Sequence, residues 1–325
     1  MSNAPGEPVL RTPITNLAKP KQPVTGRIVG SEICTRGRSP NIVRHVSVDL
    51  SGTPLARQFL PGQSFGVIPP GINARGRPEG VRLYSHAGPS WGEDGDGAVV
   101  STPVKRLIEE FKPQKKGDDP EAHHLFLGVA SNHLCDLPLG AEVKITGPSG
   151  RHFLLPEEPD AWDYLFLATG TGIAPFRGMA MELFQGAKQA SSRVEVVMGV
   201  PYTTDLQFDG LFRELESTVP DFKYHTAVSR EAYPGYGSRG RYVDHLIRDE
   251  WDHFEPFLRS PRTLIYMCGI GGMEVGLYRL LAQRGVHEPY LRVRPSLEGV
   301  APADWDAKSI PRGVKTTGRC MVEVY

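Results

Sequence analysis

The chain has 325 residues, enough for two domains at roughly 100–200 residues each, and its 39% hydrophobic and 23% charged content excludes a disordered polymer. Lys+Arg and Asp+Glu both total 37, so the overall basic balance of a nucleic-acid binder is absent. No apolar run approaches the roughly 18–20 residues that a membrane span requires.

The first residues, MSNAPGEPVLRTPITNLAKP, are rich in Pro and small side chains. They lack the charged start and apolar core of a secretory signal, which predicts a flexible arm over residues 1–24 and a cytoplasmic location. From residue 25 to about 150 the pattern is that of β-structure. In Ile42–Leu50, Val46, Val48 and Leu50 alternate with His45, Ser47 and Asp49, as a half-buried strand requires. Turn signals punctuate the region at Ser39-Pro40-Asn41, Pro61-Gly62, Pro69-Pro70-Gly71 and Pro148-Ser149-Gly150. Many short strands between such turns predict a barrel or sandwich. The polar stretch Phe111–His124 reads as a loop, and the apolar runs Leu125–Ala130 and Tyr164–Ala168 as buried strands.

The pattern changes after Pro156-Glu157-Glu158-Pro159. An apolar strand over Asp163–Ala168 leads into a Gly-rich turn and a helix through Gln185. Strands follow at Val194–Val200, Phe222–Val228 and Thr263–Cys268, with helices at Leu211–Ser217 and Met273–Gln283, the latter stopped by Gly285. Alternating strand and helix implies a parallel sheet. A short β-run, Cys320–Tyr325, closes the chain. The domain boundary is therefore expected near residue 157, dividing 25–157 from 158–325.

Cys34, Cys135, Cys268 and Cys320 stand far apart without a CxxC, so no metal cluster held by a local Cys run is expected. His123, His124, His133 and Cys135 match no standard zinc spacing, and no metal site is predicted from them.

Two segments carry chemistry. Thr169-Gly170-Thr171-Gly172-Ile173-Ala174-Pro175 joins a strand to a helix; its glycines admit a phosphate, and the helix start supplies free N–H groups. Pro175 suits the first helical turn but takes the place of a third glycine, so this is not the GxGxxG fingerprint. In Arg82-Leu83-Tyr84-Ser85, an Arg suits a pyrophosphate, a Tyr ring stacks on a flat heterocycle, and a hydroxyl reaches a ring nitrogen.

The order RLYS (82–85), GVASNHLCD (128–136), GTGIAPFRG (170–178), VSRE (228–231), YMCGIGGME (266–274) and terminal VEVY (322–325) resembles the plant-type ferredoxin–NADP reductase family. GQSFGVIP (62–69), VKRLI (104–108) and LGAEVKITGPSG (139–150) extend the resemblance from about Lys19 to Tyr325. It implies an antiparallel six-stranded β-barrel FAD domain followed by an α/β parallel-sheet NADP domain. It also implies an enzyme that passes a hydride from NADPH to FAD, then single electrons to a ferredoxin- or flavodoxin-type carrier. Two alternatives are a reductase component of a multicomponent oxygenase, of the benzoyl-coenzyme A type, and a non-catalytic flavin-binding sensor.

Carried onto matching positions, Arg82, Leu83, Tyr84 and Ser85 would hold the flavin and its pyrophosphate, and Val129, Ala130 and Ser131 the rest of the phosphate chain. Lys105, Thr171, Val200, Pro201 and Gly269 would complete the cofactor sites. Ser85, Cys268 and Glu323 would surround the reacting rings, with Tyr325 stacked on the isoalloxazine. Ser229 and Arg230, followed by Arg239, Arg241 and Tyr242, suit a 2′-phosphate and an adenine and so suggest NADPH. NAD-selective sites usually place an acidic residue there to bind the ribose hydroxyls, and Glu231 follows the pair, but members of the resembled family that use NADPH also carry an acidic residue at that position. The chain departs from the family at His86, Glu109, Ala130, Val243-Asp244 and the Pro/Gly-rich segment Pro295–Gly318. Arg36, Arg38, Arg75, Arg77, Lys105, Arg106, Lys112, Lys115 and Lys116 could form a rim that steers an acidic partner.

Overall fold

The computed structural model describes residues 6–73, 75–111, 119, 121, 124–187, 189–297 and 299–325. The first half contains β1 (Val24–Ile33), β2 (Val43–Asp49), β3 (Ser64–Ile68), β4 (Arg82–Ser85) and β5 (Val99–Lys105). A two-stranded pair, β6 (Ile108–Phe111) and β7 (His124–Leu127), precedes α1 (Val129–Asp136) and β8 (Glu142–Ser149). Six of these strands form an antiparallel sheet in the order β4-β3-β8-β1-β2-β5. Just beyond β4, the Ala87 N–H donates to the Ser101 carbonyl on β5 at 2.8 Å, so the two ends of the sheet meet as a barrel. In β2, Val43, Val46 and Val48 enter the core beside Ile28, Phe65 and Ile145, and the intervening residues stay half-exposed.

The second half runs β9 (Asp163–Thr169), α2 (Ala174–Phe184), β10 (Val194–Val200), α3 (Asp209–Thr218), β11 (Phe222–Val228), α4 (Val243–Asp249), α5 (Trp251–Arg259), β12 (Thr263–Gly269) and α6 (Met273–Gln283). It ends with β13 (Leu291–Val293), α7 (Ile310–Gly313), β14 (Val314–Thr316) and β15 (Cys320–Val324). The five-stranded sheet β11-β10-β9-β12-β15 is parallel throughout. Every residue of β10 and β12 is buried, as strands covered on both faces demand. One face packs Phe166, Phe176 and Phe212 from the α2–α3 side, and the other packs Leu167, Ile247, Phe254 and Leu281 from the α4–α6 side. Pro175 sits within the first turn of α2, and Gly285, at φ +65°, follows the end of α6.

Strand order reverses between β9 and β12, which opens a crevice at the carboxyl ends of the strands. Parts of both halves close around it. Arg177 of α2 pairs with Glu93 of the barrel and lies 5.0 Å over the Phe208 ring. Asn41 Nδ2 donates to Asp205 at 3.0 Å. The stretch expected to be a flexible arm is, where described, laid against both sheets: Arg11 pairs with Glu182 at 2.7 Å, and Ala18 exchanges backbone bonds with Gly147.

One expectation needs correction. Leu125–Ala130 is not one buried strand: Leu125, Phe126 and Leu127 form an exposed strand (67%, 46% and 50% accessible), and a helix begins at Val129. The Pro/Gly-rich segment Pro295–Gly318, whose role the sequence leaves open, packs into the fold. Leu297, Trp305, Ile310 and Val314 are buried in the core beneath α4–α6, and β14 pairs with β13. The loop expected within Phe111–His124 falls largely outside the described residues.

Candidate functional site

The crevice is a cleft of about 880 Å³ whose walls come from both halves. Lys105, Leu107 and Glu109 line it from the barrel; Thr171, Val200, Pro201, Ser229, Arg230, Tyr242 and Tyr325 line it from the parallel sheet. Eight sequence-predicted residues thus converge here from six separate segments. All but Lys105 and Tyr242 sit at or just beyond the carboxyl end of a parallel strand.

Local sequence explains the shape of the cleft. Gly172 packs so closely on β12 that a Cβ there would lie 2.1 Å from the Cys268 carbonyl oxygen. Gly269, at φ +149°, faces Thr169, where a Cβ would fall 2.0 Å from Oγ1. These glycines let the phosphate-type turn and the end of β12 touch. Thr169 Oγ1 then accepts the Ile270 N–H at 2.8 Å, fixing the next turn.

Ser229 and Arg230 follow β11. The Ser229 N–H bonds the Val200 carbonyl at 2.9 Å and the Arg230 N–H bonds the Pro201 carbonyl at 2.9 Å, so the backbone of both residues is fixed against the end of β10. Arg230 is exposed at the cleft. Tyr242, 57% exposed, lies edge-on to His245. Arg241 also lines the cleft but is buried, paired with Glu250 at 2.9 Å and stacked on Tyr233. Glu231 is turned onto Thr203, accepting its N–H at 2.6 Å and its hydroxyl at 3.0 Å. That carboxylate is engaged with the chain's own turn. Asp244, singled out in the sequence as a departure, also lines the cleft; sequence reasoning missed Gly276 and Arg279, which line it too and whose spacing carries no recognisable signal.

The predicted catalytic residues gather beside the cleft, behind Thr171 and Tyr325. Cys268 and Glu323 are direct neighbours in the β12–β15 register, and Ser85 at the end of β4 lies close to the Cys268 thiol across the two halves. Burial, reinforced by the Glu323 charge and opposed by the nearby Ser85 hydroxyl, pushes the thiol up to about 12. It therefore stays protonated at neutral pH. Burial also pushes the Glu323 carboxyl up to about 7. Its neutral form favours the fold at acid pH, and that contribution is lost as pH rises through about 7. Glu323→Gln should match the wild-type thermal midpoint at pH 5 and exceed it at pH 8, as thermal denaturation at both pH values would reveal.

Tyr325 closes this cluster. Its N–H bonds the Gly269 carbonyl at 2.9 Å, its hydroxyl lies 2.6 Å from Thr171 Oγ1, and the residue is 69% exposed. Leu83 is also 61% exposed, and Tyr84 packs against the barrel core beside Leu134 and Cys135. Arg82, Leu83, Tyr84 and Val129–Ser131 do not line the 880 Å³ cleft. They form a second surface, where α1 starts at Gly128 without a capping side chain. A Cβ at Gly128 would meet Ser131 Oγ at 2.6 Å, and the Arg82 guanidinium bonds only the nearby Gly80 and Val81 carbonyls. Uncapped helix N–H groups, an exposed Arg and exposed flat or apolar side chains fit a flavin dinucleotide. The departure at His86 has a structural explanation. Its buried ring accepts the Gly88 and Ser101 N–H groups at Nδ1 and faces the Pro89 carbonyl at 3.3 Å through Nε2. Burial lowers its pKa and keeps it neutral.

Of the nine basic barrel residues, Arg36 pairs with Asp209 and Arg106 with Asp136, whereas Lys112, Lys115 and Lys116 lie outside the described residues. No helix among the described residues is long and apolar enough to cross a membrane.

Residues 166–277 match the oxidoreductase NAD-binding domain. The chain is 36% identical over 266 residues to the ferredoxin–NADP reductase of Spirulina sp, covering 81% of this chain and 86% of that protein. It is also 36% identical over 273 residues to the leaf-type chloroplastic ferredoxin–NADP reductase of Nicotiana tabacum, covering 83% and 72%. The ferredoxin–NADP+ reductase structure from Plasmodium falciparum superposes with a TM-score of 0.67 at 22% identity over 95% of this chain and 99% of that one. With this identity sustained over most of both chains, the protein belongs to the ferredoxin–NADP reductase family.

Proposed function

We propose that this chain is an FAD-dependent ferredoxin–NADP reductase that takes a hydride from NADPH and delivers electrons singly to a ferredoxin- or flavodoxin-type carrier. The observation that carries the reading is the Ser85–Cys268–Glu323 cluster, assembled from both sheets directly beside the nucleotide cleft. Residues 25–157 would form the FAD domain and 158–325 the NADP domain, working in the cytoplasm.

FAD supplies the chemistry of accepting an electron pair and releasing it in single steps. The chain supplies position. Arg82 and the first N–H groups of α1 bind a pyrophosphate, and Leu83 and Tyr84 flank the flat ring. In the cleft, Arg230 and Ser229 hold a 2′-phosphate while Tyr242 covers an adenine. Ser85 and Cys268 fix the distance between the two sheets where the rings must face each other. Glu323 controls charge at that point, and the Tyr325 ring excludes water until nicotinamide displaces it. One hydride carries two electrons, so each NADPH serves two one-electron carriers.

Anaerobic titration with NADPH, following flavin absorbance, tests the reading. Bleaching of bound FAD supports it, whereas protein that neither holds nor binds FAD would end it. Removing the Arg230 fork should raise the KM for NADPH about 10- to 100-fold and leave that for NADH nearly unchanged. The range follows from the roughly 1.5–3 kcal/mol of a hydrogen bond to a charged group. Steady-state kinetics of Arg230→Ala with both nucleotides would check it.

A further inference from the structure

We propose that Glu195, His225 and His253 form a binding site for a divalent late transition-metal ion, with Zn²⁺ as its representative, on the flank of the parallel sheet away from the cofactor cleft. Glu195 lies near the start of β10. His225 on β11 is the register partner of Val197, so it occupies the next position on the same face of the sheet. His253 projects from α5, which packs on that face. The two imidazole Nε2 atoms converge on one carboxylate oxygen, Glu195 Oε2, at 3.0 Å and 2.8 Å. All three candidate ligand atoms lie within 4.8 Å of one another, an arrangement found at this one place among the described residues.

Those gaps suit a shared ion. Zinc bonds of about 2.0–2.2 Å to nitrogen and oxygen put neighbouring ligand atoms about 3–3.5 Å apart. An ion would therefore need only small side-chain movements. The surroundings also match what such a site uses. Arg193 occupies the other oxygen of Glu195, which orients the carboxylate and leaves Oε2 for the ion. Burial would raise the Glu195 carboxyl, but the two imidazole bonds and Arg193 outweigh it and hold the group below its usual value. His225 Nδ1 lies 3.7 Å from Glu250 Oε2, and Glu250 is itself held by Arg241 at 2.9 Å. A metal-ligating imidazole commonly donates its far N–H to such a carboxylate. In the metal-free network both Nε2 atoms carry hydrogen; on binding, that hydrogen moves to Nδ1, where for His225 Glu250 can receive it. Glu195 is fully buried and the His225 side chain is 17% exposed, while the His253 side chain is 40% exposed. Ions can enter, and solvent can complete the coordination, from that side.

The ion would tie β10, β11 and α5 together. It would take no part in electron flow, because Glu195 lies five residues before Val200, about 17 Å along the strand from the cleft end.

The test is isothermal titration of Zn²⁺ into chelator-treated full-length protein with FAD bound, for wild type, His253→Ala and His225→Ala. The expected result is one equivalent bound with micromolar or tighter affinity in wild type, weakened at least tenfold in each variant. Zn²⁺ should also raise the wild-type unfolding temperature and leave that of His253→Ala unchanged. Flavin reduction by NADPH without zinc should be the same in wild type and His253→Ala, which shows that the variant is folded. Equal uptake by wild type and His253→Ala would place the metal elsewhere, for instance at Cys34, and overturn the proposal. So would the absence of saturable uptake by wild type.

Discussion

Ser85→Ala is expected to slow flavin reduction by NADPH about a hundredfold at saturating nucleotide while leaving FAD content unchanged. Ser85 ends a strand of the barrel, and Cys268 lies one residue before the end of a strand of the parallel sheet; the two side chains approach each other where the halves meet. Alanine preserves the strand and its pairing with Ser64 but removes that hydroxyl. The buried thiol then loses a polar neighbour, and the approach of the two sheets is less closely set at this point. A misplacement of roughly 1 Å in a near-attack geometry can cost about 100-fold in rate. The loss should fall on the hydride step, so the apparent affinity for NADPH should change little. Stopped-flow reduction under anaerobic conditions measures both quantities. A rate within threefold of wild type would show that Ser85 does not set the geometry.

The sequence reveals this cluster because its members sit inside ordered motifs at the ends of strands with strong patterns. Apart from Glu195 in β10 and Thr263 in β12, β10 and β12 are apolar along their length, and α6 repeats at helical spacing, so their limits are legible from composition alone. α1 is not, since only Ala130, Leu134 and Cys135 of its eight residues are buried and no side chain caps its start. The apolar run before it misleads for a related reason: Leu125–Leu127 belongs to a two-stranded pair outside both main sheets, so hydrophobicity there does not mean burial. α5 carries Pro256 within it, a residue that reads as a helix breaker. Contacts between distant segments are the hardest to foresee. Arg177 with Glu93 and Glu195 with His225 and His253 join residues 30 or more positions apart in sequence, and no local pattern marks them. Glu231 shows the same limit at the nucleotide site, where only the fold reveals that its carboxylate binds Thr203.

Tyr325→Ser should tighten NADP⁺ binding about 10- to 100-fold and lower turnover to a similar extent. The backbone of Tyr325 is pinned at both ends, by its N–H on the Gly269 carbonyl and by the Gly271 N–H on its own carbonyl, each at 2.9 Å. The ring is not pinned in the same way: it is largely exposed, with its hydroxyl on Thr171 as the polar contact. Moving the ring aside therefore costs about one hydrogen bond, roughly 1 kcal/mol, together with whatever stacking it makes on the flavin. An aromatic ring stacked on a flat heterocycle contributes about 1–3 kcal/mol. On the proposed role of Tyr325, the nicotinamide would have to offset this loss each time it enters, which would hold its binding weak. With serine the competitor disappears, and each 1.4 kcal/mol no longer opposed tightens binding about tenfold. Tight product then leaves slowly, and release becomes the limiting step. Difference spectra of the oxidised flavin titrated with NADP⁺ give the affinity, and steady-state electron transfer to a ferredoxin gives turnover. If both match wild type, the ring does not compete with nicotinamide and the flavin face lies elsewhere.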